Sequence, residues 1–445
     1  MKQFIEKLSQ LNWDDLDEDT IKSSKLILLD TLGAYVGAID KEGIRRLISD
    51  VAELGDEELL LNGAKLTLAD VALITGAAVV ALELDEGNQF SKGHPAAHCL
   101  PVLWILAQKD GYTMSGKEFL LNVVKSYEAC SYFGRNASLH PEMHAHGTWG
   151  VLGATAAATF ASDSTTDELY EALNTAATFA LPTSWNAALE GAFIRNVYVG
   201  KALASGIQAQ RLVKAGVHAP VNNISHVFGK LFGNSAGAEF HSQKILWDVK
   251  KNYFKNHAFC RYSHAPLEAF KEAIHLKKSG EEINRVDIYT YERAATLNRQ
   301  EIINELSAKF SIPYALASWH ITGISDESAF IDRYLKDEEI SAFTQKVFVH
   351  HDTEMDRNYP KSMPVKVVLT LASGETITVE KDQASGGPTE KMSQEAIINK
   401  FIRLTANQLT DEQQQQVIDF ILNLEEEKDA GAIYQLMRSS SSVTA

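Results

Sequence analysis

The sequence predicts a mainly α protein, with a large all-helical domain and a smaller α+β domain set into its C-terminal part. Three observations carry this. Apolar residues recur at helical spacing up to about Lys255, give way to period-two alternation, and return to helical spacing after Ser393. At 445 residues the chain exceeds what one compact core serves, so two domains are expected. The expected boundaries are 1–255 with 393–445 for the helical domain, and 256–392 for the inserted one.

In the helical part, Asp17 or Asp19 is placed to cap a helix carrying Ile21, Leu26, Leu28, Leu29, Leu32 and Tyr35. A second apolar stretch runs over 66–84 and opens near Thr67. The segments 151–160 and 202–206 are rich in Ala and Gly, small residues that let helices approach closely. In the inserted part, 286–291 alternates as a strand does, and 346–349 is a second strand candidate. Residues 365–371 and 376–380 flank Ala372-Ser373-Gly374-Glu375, which predicts a hairpin. Helical stretches are expected at 266–276 and 302–310. Ser393 is a helix N-cap with Glu395 in the first turn, and the Ser-rich segment 438–445 is expected to fray.

Composition excludes several classes of function. Apolar residues make up 45% and charged residues 22%, a globular balance. A formal net charge of -16 repels phosphate backbones and argues against nucleic-acid binding. An anionic substrate then needs a local cluster of cations. Cys99, Cys130 and Cys260 are too far apart for a disulfide framework or an iron–sulfur cluster, and reduced thiols suit the cytoplasm. The N-terminus lacks the apolar core of a signal peptide, and no uncharged run long enough for a membrane span occurs.

Four segments hold residues suited to chemistry. In the first, Glu83, Asp85 and Glu86 end an apolar helix, where negative charge opposes the helix dipole, and His94 and His98 follow. The second crowds His140, His144 and His146 ahead of a Gly-rich helix start. Histidine is the side chain suited to exchange protons near neutral pH. A metal site is the rival reading, although neither histidine group has the H-E-x-x-H spacing. The third, 255–264, gathers Lys255, His257, Arg261 and His264 where the texture changes. The fourth is Arg195 to Lys201, where Arg195 is suited to grip a carboxylate bidentately. A solvated loop or a helix-terminal cation is the plain alternative for each segment.

Taken in order, these motifs resemble the MmgE/PrpD family, which includes 2-methylcitrate dehydratase, cis-aconitate decarboxylase and iminodisuccinate epimerase. The resemblance begins at Leu28-Leu29-Asp30-Thr31-Leu32-Gly33 and continues through the acidic stretch before His94-Pro95. It runs on through His146-Gly147-Thr148-Trp149-Gly150, Lys255 to His264, and Phe310-Ser311-Ile312-Pro313-Tyr314-Ala315. It implies a helical domain with an α+β lid, a homodimer, and a site between the domains with no metal and no organic cofactor. Carried over by position, the catalytic histidines are His94, His146 and His264, and the acidic member falls on Glu83 or Asp85.

Arg195, Lys255 and Arg261 are the cations expected to bind a small di- or tricarboxylate and to stabilise charge developing beside it. The implied activity is a lyase of the dehydratase or decarboxylase type, working by histidine-mediated proton transfer. An epimerase is the second reading, and a non-catalytic carboxylate-binding protein the third. Two positions depart from the family pattern. Gly87 stands where a threonine is common, and Arg195 where a lysine is common.

Overall fold

A computed structural model describes residues 1–108, 113–162, 164–233 and 240–437, so 438–445 lies outside the described residues. The protein is mainly α-helical with a smaller sheet-containing region. The chain divides into two compact units. The first holds Met1–Ser184, Ile194–Phe254 and Ser393–Ala445; the second holds Trp185–Phe193 and Lys255–Met392.

The first unit is a packing of helices. Asp17 caps the helix α1 (Glu18–Ala38), its Oδ1 accepting from Thr20 N at 2.8 Å. Thr67 caps α2 (Leu68–Ala81) in the same way through Asp70 N. Next come α3 (Pro95–Ala107), α4 (Gly116–Asn136), α5 (Gly150–Phe160) and α6 (Ile194–Lys214). α6 packs on α2 and α5, and α5 packs on α3 and α4. Small residues make these approaches possible. A Cβ at Gly76 of α2 would stand 2.5 Å from Gly200 Cα of α6, and one at Gly206 would stand 2.5 Å from Ala154 Cβ of α5. The helices α2, α3 and α5 are buried nearly all round, which is why an apolar stripe is hard to read in them.

Before α2, β1 (Leu54–Glu58) pairs with the short β2 (Lys65–Leu66). The second unit is built on a four-stranded sheet in the order β4-β3-β5-β6. Its strands are β3 (Ile283–Thr290), β4 (Val347–His351), β5 (Val365–Leu371) and β6 (Thr376–Lys381). β3 runs parallel to β4 and antiparallel to β5, and the predicted hairpin joins β5 to β6 with Gly374 at φ 87° in its turn. Residues of β5 alternate strictly between buried and half-buried, so one face of the sheet lies against α7 (His264–Leu276). The helix expected over 302–310 is shorter. Asn304 caps it, accepting from Ser307 N at 3.0 Å, so only Glu305–Lys309 is helical. α8 (Ile312–Thr322) and, back in the first unit, α9 (Gln394–Thr405) complete the frame, the latter capped by Ser393 as predicted and packed on α1.

The segment Trp185–Phe193 belongs to the second unit through specific contacts. Trp185 Nε1 donates to Thr296 Oγ1 at 3.1 Å, and the Arg293 guanidinium lies 3.9 Å from the Trp185 ring. Arg299 and Asn304 donate to the carbonyls of Leu189 and Gly191, each at 3.0 Å. Among the described residues no helix is long and apolar enough to cross a membrane.

Candidate active site

The first unit gathers four imidazoles. His94 is the N-cap of α3 and His98 lies one turn later, while His144 and His146 precede α5. Ring centroids are 5.0 Å apart for His94 and His146, 5.5 Å for His98 and His146, and 4.5 Å for His144 and His146. His146 is therefore the centre of the group.

Hydrogen bonds assign the protons of three of these rings. His94 Nδ1 lies 2.7 Å from the Glu86 carbonyl oxygen and 2.8 Å from Asp85 Oδ2. A carbonyl only accepts, so Nδ1 carries a hydrogen and Nε2 is the nitrogen left free of these supports. His98 Nδ1 likewise donates to the His94 carbonyl at 2.9 Å. His144 is the reverse case, its Nδ1 accepting from the His146 amide at 3.0 Å. Neither ring nitrogen of His146 has a hydrogen-bond partner among the described residues, although the ring is buried.

Charge and burial keep the centre neutral. Burial, then Arg195 and the three neighbouring imidazoles, hold His146 well below the usual histidine range. Burial pushes His98 down to about 4. The Thr183 hydroxyl fixes this loop by donating to the carbonyls of His144 and His146, at 2.9 and 2.8 Å. Gly147 supplies the left-handed turn, at φ 79°, that lets α5 begin.

The acidic segment is buried throughout, and its three carboxylates have separate partners. Glu83, held at φ 54°, forms a buried ion pair with Arg195 of α6. Arg195 also donates to the Val80 carbonyl at 3.2 Å and to Asn196 Oδ1 at 3.1 Å. Two residues expected to meet the substrate are thus paired with each other. Asp85 lies against His94. Glu86 accepts from the Tyr127 hydroxyl and from Ala96 N, the latter at 3.2 Å.

Gly87 exchanges both backbone hydrogen bonds with Tyr253, at 3.1 and 2.7 Å. A Cβ at Gly87 would strike the Tyr253 phenol, whose Cε2 would be 2.9 Å away. The tyrosine fills the space that a side chain at 87 would take, and its ring meets His94 edge-on at 6.3 Å.

The second unit has its own cationic cluster. Lys255 is fully buried. His257 Nδ1 lies 2.9 Å from Ser325 Oγ, and its ring is 5.1 Å from that of His264. His264 Nε2 donates to the Phe259 carbonyl at 3.1 Å, which leaves Nδ1 as the acceptor facing Arg261 at 3.5 Å. Arg261 donates to the carbonyls of Ser385 and Ala384, at 2.8 and 2.9 Å. Burial, then Arg261, His257 and Lys255, hold His264 well below the usual range, and burial pushes His257 down to about 3.

Sequence reading singled out His94, His146, Glu83, Asp85 and Arg195 in the first unit and Lys255, Arg261 and His264 in the second. It assigned no role to Glu86 or His98. The signals for them were the burial implied by three acids ending an apolar helix, and the i, i+4 spacing of His98 to His94. Among the described residues no group of three His, Cys, Asp or Glu side chains is arranged to hold a metal ion.

A helical frame carrying buried imidazoles and carboxylates of this order defines a class, and comparison with known proteins names it. Residues 2–242 match the MmgE/PrpD N-terminal domain and residues 257–426 the MmgE/PrpD C-terminal domain. The chain belongs to the MmgE/PrpD family. It is similar to cis-aconitate decarboxylase of Aspergillus terreus (strain NIH 2624 / FGSC A1156), 24% identical across 96% of this chain and 94% of that protein. It is also similar to the cis-aconitate decarboxylases of Homo sapiens and Mus musculus. Each of these is 22% identical across 99% of this chain, covering 95% and 93% of the relative.

Proposed function

We propose that this protein is a lyase acting on a small di- or tricarboxylate, with histidine-mediated proton transfer at a carbon next to a carboxylate. Decarboxylation of cis-aconitate is the first reaction to try, because relatives of that name match over nearly the whole chain. The observation that carries the reading is the pairing of His94 with His146. One ring is oriented by Asp85 and Glu86 so that Nε2 faces outward from its supports; the other is neutral, buried and hydrogen-bonded to nothing at either nitrogen. A base oriented by a third group, next to a neutral donor–acceptor ring, is what proton transfer on carbon requires.

In this reading carbon dioxide leaves, its bonding electrons pass into the conjugated carboxylate system, and carbon is protonated from His94 Nε2, which first takes up that proton from solvent while Nδ1 stays bonded to the Glu86 carbonyl. His146 hydrogen-bonds the substrate. Arg195 is held in place by Glu83, and after burial it is the charge that keeps His146 neutral. Lys255 and His264 are proposed as further members of the machinery, by their likeness in kind, a buried cation with a neutral imidazole. Arg261 is proposed to hold His264 and the 384–385 backbone. The proposal includes a homodimer that needs no metal or organic cofactor. Sedimentation tests the first part, and turnover after chelation and dialysis the second.

The deciding experiment incubates purified protein with cis-aconitate, and separately with 2-methylcitrate, in deuterium oxide. Carbon dioxide release, with deuterium in an unsaturated product, supports decarboxylation; ultraviolet absorbance from 2-methylcitrate supports dehydration. Deuterium entering a substrate of unchanged formula supports the epimerase. Binding without turnover of any candidate sinks the enzymatic reading.

A further inference from the structure

We infer that Glu86 is a positioning residue that holds His94 with its hydrogen on Nδ1, leaving Nε2 as the atom that meets the substrate. The inference rests on the lyase reading for its last clause only. Glu86 acts in two directions. Its backbone carbonyl accepts from His94 Nδ1 at 2.7 Å. Its side chain reaches the helix on which His94 sits, Oε2 accepting from Ala96 N in the first turn of α3 at 3.2 Å. Orphan amides at a helix N-terminus need such an acceptor. One residue therefore fixes both the ring and the helix end that carries it.

The support extends outward. Oε1 takes the Tyr127 hydroxyl from α4. The Tyr127 oxygen faces Asn88 Nδ2 at 3.5 Å, and Asn88 Nδ2 also donates to the Asp248 carbonyl at 3.1 Å. Asn88 Oδ1 accepts from the amides of Phe90 and Ser91, at 3.0 and 3.2 Å. The loop leading to His94 is thus tied down at 86, 88, 90 and 91, and every polar side chain in the chain of contacts is buried.

The groups facing Glu86 explain its charge. Asp30 of α1, ion-paired to Lys400 of α9 at 2.6 Å, and Asp85 both oppose a negative Glu86, Cys130 and Tyr127 of α4 face it as well, and His94 meets its backbone carbonyl. Burial first, then Asp30 and Asp85, push Glu86 up to about 8, against the pull of Tyr127 and Ala96. Below that pH it is a neutral acid, and Asp85 is the charge that faces His94. Above it, a further negative charge enters the same loop and strains the arrangement that holds the ring.

The test compares Glu86→Gln, Glu86→Ala and Tyr127→Phe. Nitrogen chemical shifts of the His94 imidazole report the tautomer without turnover, and kcat on cis-aconitate is followed against pH. A glutamine can turn its oxygen to Ala96 N and its NH2 to the Tyr127 oxygen, so both contacts survive. Glu86→Gln is expected to keep the Nδ1-protonated tautomer and to remove the alkaline fall of kcat near pH 8.

Glu86→Ala is expected to mix the tautomers and to lower kcat about 10- to 100-fold with a smaller change in KM, the scale seen when a group orienting a ligand histidine is lost. Glutamine restores kcat above the alanine level. If Glu86→Ala does not fold, Tyr127→Phe, which removes one hydroxyl, carries the same tautomer expectation at smaller amplitude. An unchanged tautomer in both Glu86→Ala and Tyr127→Phe, or in Tyr127→Phe if the alanine variant is unfolded, overturns the inference. So does an alkaline limb that survives in Glu86→Gln. A tautomer that shifts in a protein inactive on every carboxylate sinks the lyase reading instead and leaves the positioning role standing.

Discussion

The two basic clusters of this molecule solve the same problem with different charges. In both, burial keeps imidazoles neutral. In the first unit the nearby cation, Arg195, is matched by Glu83, and Asp85 stands beside His94. In the second unit the cations that act on His264 are Arg261 and Lys255, and Arg261 is held by carbonyl oxygens. The first arrangement suits the proposed proton transfer, since Arg195 is matched by Glu83 and hydrogen bonds fix the protons of three of its four rings. The second suits the proposed carboxylate, since the charged side chains acting on His264 are cations. Clusters that look alike in a sequence differ in what surrounds them.

The strongest test of this contrast is removal of the imidazoles in the first unit. His94→Ala or His146→Ala is expected to lower kcat by about 10²- to 10⁴-fold, the range for positioned acid–base groups, with folding intact by circular dichroism. A loss below tenfold for both breaks the comparison. Next comes the balanced pair. Arg195→Met alone leaves Glu83 buried without its cation and should cost about 3–5 kcal/mol in denaturant unfolding, while the double variant Glu83→Leu with Arg195→Met should recover most of it. Equal losses in the single and double variants would mean that the pair matters for packing alone.

The units should also differ in their response to pH. His98 and His257 have folded values of about 4 and about 3, below the 6.5 of an exposed histidine. As pH falls through that window the unfolded chain takes up protons that the folded state refuses, so stability falls toward acid, by on the order of 3 kcal/mol for His98 once both states are compared below pH 4. Glu86 and Glu128 have the opposite sign. Their folded values of about 8 lie above the 4.5 of an exposed glutamate, so the folded state holds protons that the unfolded chain has lost, and stability falls as pH rises from 4.5 to 8. Both groups lie in the first unit.

Hydrogen exchange resolved by segment should therefore show an acid limb in both units and a limb across neutral pH in the first. A neutral-pH limb of equal size in both units contradicts this assignment. The smallest effect is expected at Asn304, whose loss as an N-cap in Asn304→Ala should cost about 1 kcal/mol in unfolding and leave kcat unchanged.

Local rules were legible in the sequence. Asp17, Thr67 and Ser393 mark helix starts because a short polar side chain reaches the orphan amides two or three residues on. The β5–β6 hairpin follows from alternation around a turn with glycine. The boundary of the short helix Glu305–Lys309 was harder, since an apolar run continues backward past its cap. What no window discloses is partnership at long range. Glu83 and Arg195 each read as a residue for the substrate, and only the fold brings them together. Glu86 carries no distinguishing mark among three acids; its role comes from Tyr127 and Ala96, which lie elsewhere in the chain. Trp185–Phe193 reads as part of a helical region, and its membership of the second unit depends on Thr296, Arg299 and Asn304.

The reciprocal backbone bridge between Gly87 and Tyr253 bears on attempts to redesign this protein. Installing a hydroxyl-bearing residue at 87 drives its first carbon into the phenol of a tyrosine whose backbone is bonded to residue 87 in both directions, so Gly87→Thr alone should yield a damaged protein whatever its chemical merit. A library that varies 87 and 253 jointly can reach sequences that stepwise substitution cannot, because each single step crosses an overpacked intermediate.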